Sequence, residues 1–98
     1  MNPILGMYLA NGVSADESIN APLGTAHTLL IYLRHWPSDE LDFDRALFVA
    51  EQEGWEKVEI EEADFVKEGL IKEDRVEFAG ALTHGYHIVY YLGGPESE

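Results

Sequence analysis

Cysteine is absent from this chain, so disulfide frameworks, thiolate zinc sites, iron–sulfur clusters and cysteine nucleophiles are excluded, and stability has to come from packing. Basic residues are scarce: 6 Lys and Arg stand against 19 Asp and Glu, a formal net charge of −13 at pH 7. Nucleic-acid binding draws on clustered Lys and Arg that displace phosphate counterions, and anionic headgroups repel a strongly acidic chain, so neither nucleic acid nor membrane is an expected partner. No apolar run approaches the roughly 20 residues that cross a bilayer. The first basic residue is Arg34, so the N-terminal stretch lacks the charged start of a secretory signal, and the expectation is a soluble cytoplasmic protein. Common enzyme signatures are also missing. There is no Gly-rich phosphate loop with Lys and Ser or Thr, no Gly-x-Ser-x-Gly elbow and no His-Glu-x-x-His helix. No cofactor is expected, and catalysis has no identifiable carrier.

What is present is one domain's worth of chain, 98 residues of which 46% are hydrophobic and 11% aromatic, enough for a modest single core. The acid excess is localised. Residues 1–15 carry no charged side chain, residues 39–77 hold 15 acidic and 5 basic side chains, and residues 78–95 hold none apart from His84 and His87.

The opening segment to Gly24 punctuates itself with Pro3, Gly6, Gly12, Pro22 and Gly24, which predicts mostly loop, with Ile4 to Ala10 as a weak edge strand. From Ala26 to Trp36 both parities are apolar, the pattern of a central strand covered on both faces, and Pro37 ends it. Alternation there puts His27, Leu29, Ile31, Leu33 and His35 on one face and Thr28, Leu30, Tyr32, Arg34 and Trp36 on the other. A helix follows from about Asp42 to Glu53, with Phe43, Ala46, Leu47 and Ala50 as its apolar stripe, Asp42 as its cap and Gly54 as its stop. Glu56 to Ile60 then alternates as a strand, Val58 and Ile60 inward, with its continuation through Val66 less strongly patterned. Gly69 marks a turn. Asp74 to His84 reads as a short helix in preference to a strand over Arg75 to Ala81, and Tyr86 to Leu92 as a last strand before a frayed tail at 93–98. Ala50, Gly54, Trp55 and Val58 correspond, 31 residues on, to Ala81, Gly85, Tyr86 and Val89, which implies two helices that each return directly into a strand.

These elements predict an α+β domain over residues 1–98: a small sheet of three to five strands with two helices on one face. That layer architecture resembles the ferredoxin-like fold, although the full βαββαβ order needs another strand between residues 61 and 73.

Three constellations could carry function. Glu56, Glu59, Glu61, Glu62 and Asp64 form a dense carboxylate run on and after the second helix-flanking strand, whose spacing does not match a calcium loop. Tyr32, Arg34, His35 and His87 could line a small-molecule cleft at the strand ends. His84 and His87, with His27 or His35 alongside, have the donors for a metal, but a turn at Gly85 would point the pair apart, and no metal site is expected. The leading expectation is a non-enzymatic binding protein whose acidic middle engages a basic protein partner, since one-sided charge accelerates encounter and repels wrong partners. In size and charge alone the chain is similar to small acidic immunity proteins and nucleic-acid mimics. The alternatives are a small oligomeric protein binding or processing a small molecule, and a homodimer formed through an exposed strand.

Overall fold

The computed structural model describes residues 3–17, 19, 21–66 and 76–91. Six elements follow in chain order: β1 (Ile4–Ser14), β2 (Ala26–His35), α1 (Phe43–Gln52), β3 (Trp55–Phe65), α2 (Val76–His84) and β4 (Tyr86–Tyr91). They build an α+β domain around one four-stranded sheet of order β3-β1-β2-β4, in which every neighbouring pair is antiparallel. The ββαβαβ succession and this strand order differ from the ferredoxin-like arrangement.

The opening segment departs most from expectation. Instead of loop or a weak edge, Ile4–Ser14 is an eleven-residue inner strand, paired along its length with β2 on one side and β3 on the other. Glycine within a strand often marks a close approach, and Gly6 is such a site. A Cβ there would stand 2.8 Å from the imidazole of His35, on the neighbouring strand. The residue that reads as a turn signal is the space into which a buried ring packs.

β2 is covered on both faces, as its doubly apolar sequence requires. The two helices therefore lie on opposite faces of the sheet, which corrects the expectation that both share one. Leu29, Ile31 and Leu33 pack with Tyr8 and Ala10 of β1 and with Ala46, Val49 and Ala50 of α1. The other parity, Leu30 and Tyr32, packs with Leu5 of β1 and with Phe78 and Ala81 of α2. Complete burial of each large aliphatic side chain contributes about 1.5–3 kcal/mol, so a strand with two apolar parities gains from a helix on each side.

Both helices carry local signals that hold. The Asp42 carboxylate accepts the Arg45 N–H at 3.0 Å and caps α1. Gly54 (φ +104°) and Gly85 (φ +97°) close α1 and α2 in the left-handed region and release the chain straight into β3 and β4. Trp55 folds back into the core beside Ala50, and α1 buries Ala46, Val49 and Ala50, leaving Phe43 half exposed. The expected turn at Gly69, the start of the second helix before Val76, Leu92 and the tail at 93–98 lie outside the described residues.

Candidate functional site

Strict alternation along β3 would put Glu62 and Asp64 on the same side as Val58 and Ile60, burying carboxylates against α1. Two bulges prevent it. β1 residues Leu9 and Ala10 pair with Glu62 and Ile60, so Glu61 is an extra residue, and a second extra residue falls between Glu59, opposite Asn11, and Glu56, opposite Val13. Lys57 within that second bulge adopts φ +53°. The parity reset keeps Val58, Ile60 and Ala63 packed towards the α1 core, while Glu56, Glu59, Glu62 and Asp64 sit opposite odd-numbered residues of β1, on the α2 side. Glu61 joins them there by accepting a hydrogen bond from the Asn11 carboxamide. All five carboxylates are exposed, and among the described residues none lies within 4 Å of a lysine or arginine nitrogen.

Beside this row the α2 face has an apolar floor. Met7, Leu9 and Leu30 line a depression of about 430 Å³ with Glu62, Ala63 and Asp64 along its rim. Met7 is 36% exposed although it lies on an inner strand: α2 packs chiefly on β4 and β2 and meets β1 less extensively, with Leu5 in its contact cluster. Among the described elements, α2 is the one that packs on this face, and it lies mainly over β4 and β2.

The four residues expected to share a cleft are divided by the sheet. His35 points to the α1 face, whereas Tyr32 and its cross-strand partner His87 lie on the α2 face. There Tyr32 meets Phe78 edge-on at 5.5 Å between ring centroids, and the His87 ring lies so close to α2 that a Cβ on Gly80 would stand 2.9 Å from its Nδ1. The glycine that weakens the helix signal at this position is what lets the helix approach the strand. Arg34 donates to the Leu82 carbonyl at 2.8 Å, tying α2 to β2. His84 is exposed at the end of α2, and His27 is buried, bonded to the Thr25 hydroxyl and the Tyr91 carbonyl. Among the described residues no three His, Asp or Glu side chains converge in a way that could hold a metal ion.

One polar constellation has no counterpart in the sequence reading. The buried Tyr8 hydroxyl accepts the Asp42 N–H at 2.8 Å and contacts His35 Nε2 at 2.9 Å. With its proton directed to Nε2, the neutral ring carries its own proton on Nδ1, which faces Asp39 Oδ2 at 3.8 Å. Burial pushes the Tyr8 phenol up and pulls His35 down, the latter reinforced by the Arg45 charge and opposed by Asp39 and Asp42. A depression of about 380 Å³ lies outside this pair, lined by His35, Asp39, Glu40, Leu41, Asp42 and Arg45. Four of its polar side chains, His35, Asp39, Asp42 and Arg45, are already engaged in holding the chain. Asp39 accepts the Trp36 N–H, Asp42 caps α1, and Arg45 donates to the carbonyls of Arg34 and Gly85. Only the placement of Tyr8 inside the sheet would have revealed this network, and the segment containing it reads as a weak edge strand in a stretch of loop.

Comparison with known proteins gives no match among protein-family models, curated proteins or solved structures.

Proposed function

We propose that this chain is a binding protein, not a catalyst, and that the carboxylate face of β3 engages a basic protein partner. The observation that supports the reading is the pair of bulges, which turn Glu56, Glu59, Glu61, Glu62 and Asp64 to one side of an edge strand. Like charges held this close repel one another, and the cost is recovered when a cationic surface neutralises them. The polar pair elsewhere that could serve acid–base chemistry, Tyr8 and His35, is buried and committed to anchoring the start of α1.

Affinity capture from native extract at low salt tests this reading, with bound proteins quantified by mass spectrometry for the native chain and for the triple variant Glu59→Lys, Glu61→Lys, Glu62→Lys. The three side chains are exposed, so the variant keeps the fold. Capture of basic proteins should disappear in the variant and weaken severalfold for the native chain between about 0.05 and about 0.3 M salt, where the Debye length shrinks to well below the spacing of distant charges. Equal capture by both chains would overturn the proposal.

A further inference from the structure

Resting on that reading, we infer that the partner presents an amphipathic helix whose apolar stripe seats on Met7, Leu9 and Leu30 and whose lysines or arginines run along the Glu62 and Asp64 rim. Two geometric facts select a helix. Four strands spaced about 4.8 Å apart make a face roughly 14–19 Å wide, and a helix with its side chains is about 10 Å across, so a single helix covers about half of such a face. Beside the ground that α2 takes, chiefly on β4 and β2, Met7 and Leu9 of β1 with Leu30 of β2 floor an apolar depression of about 430 Å³ that β3 rims. A second helix laid there would complete the layer that α2 begins.

The charge pattern fits the same element. Carboxylates two residues apart on a strand, such as Glu62 and Asp64, repeat at about 6.6 Å, and basic residues at i and i+4 of a helix rise by about 6 Å, so successive pairs stay in step. The edge of β3 itself is a poor site for an added strand. Bulges at Glu61 and around Lys57 interrupt the even spacing of outward N–H and C=O groups that strand addition requires. The flexible thioether of Met7, 36% exposed at the floor, suits a surface that adapts to an apolar stripe. The inferred site is therefore the sheet face, with the acids as one wall of a trough and not as an isolated patch.

The test uses the full chain and three synthetic peptides of about 18 residues, five turns of helix: a Leu/Lys amphipathic sequence, a scramble of identical composition, and the amphipathic sequence with Glu for Lys. Affinity is read by fluorescence anisotropy and location by methyl and amide NMR shifts. The amphipathic Lys peptide should bind at least about tenfold more tightly than the scramble, a difference of about 1.4 kcal/mol, and should shift Met7, Leu9 and Leu30 methyls. The Glu-substituted peptide should not bind. Met7→Gln, close in shape and at an exposed position, should cut the advantage of the amphipathic peptide over the scramble severalfold, and Glu62→Gln with Asp64→Asn should weaken both Lys peptides. Equal binding of amphipathic and scrambled Lys peptides, with no effect of Met7→Gln, would overturn the inference and leave the acidic-face reading standing. Failure of every Lys peptide at low salt would overturn the inference, and the capture experiment then decides the acidic-face reading on its own.

Discussion

His35 is the residue at which acidity meets the core. Its ring is buried between Gly6, Phe65 and the Tyr8 hydroxyl, and it is held neutral because burial and the nearby Arg45 charge both oppose a proton. Asp39 and Asp42 favour the proton but do not outweigh those effects. Folding therefore lowers its proton affinity below the ordinary value of about 6.5, so this residue's full stabilisation is present above that pH and is lost as the pH falls from there through the folded value. Urea unfolding of the native chain at pH 7.5 and 5.0, alongside a His35→Gln variant, isolates the effect from the other titrating groups. The native chain should lose its advantage over the variant at the lower pH. A constant difference between the two would contradict a buried neutral imidazole.

At the scale of elements, the informative strand is β3. Lys57 holds φ +53°, a conformation that costs a residue bearing a Cβ about 1–2 kcal/mol, and it does so to make the bulge that re-aims the strand. Lys57→Gly removes that strain but adds about 0.4–1 kcal/mol of unfolded-chain entropy, for an expected net gain of about 0.5–1 kcal/mol in denaturant unfolding. Lys57→Gln, which removes the charge alone, should leave stability within about 0.5 kcal/mol of native, as expected for an exposed site. A destabilised glycine variant would mean that the lysine side chain, not the backbone, secures the bulge. The helices offer the contrasting lesson. Asp42 at the cap, the apolar stripe through Ala46 and Ala50, and Gly54 at the stop are local chemistry, and α1 forms where they place it. The bulges in β3 have no such signature, because an extra residue is defined only against the partner strand.

For the whole molecule, 19 acids against 6 bases make self-repulsion a standing cost, and the carboxylate row on β3 concentrates part of it at one edge. Added salt screens charges separated by more than about 8 Å at physiological ionic strength, so the compact state should gain more than the expanded chain. The thermal midpoint is expected to rise by several degrees between about 0.05 and about 0.5 M sodium chloride, measured by circular dichroism. The triple lysine variant of β3 should rise less, since part of the repulsion is already gone. A flat response in both would show that the carboxylates are far enough apart to be solvated independently.

The sequence by itself determined the class of the molecule and most of its regular elements: an acidic chain without thiols, a strand over Ala26 to Trp36 covered on both faces, a capped helix over about Asp42 to Glu53, and helices closed by Gly54 and Gly85 that return directly into strands, each within a residue or two of where the structure has them. These are legible because caps, stops and periodicity act over a few residues. The tertiary structure decided the rest. It made Ile4–Ser14 an inner strand through pairing with both β2 and β3, with Gly6 leaving room for the His35 ring of the neighbouring strand, and it placed one helix on each face because both sides of β2 need cover. It also turned Glu62 and Asp64 away from the core through register shifts against β1. The acidity was evident as a number and as a stretch of chain, but its gathering onto one face beside Met7 and Leu9 depends on pairing between residues some fifty positions apart, which no local pattern encodes.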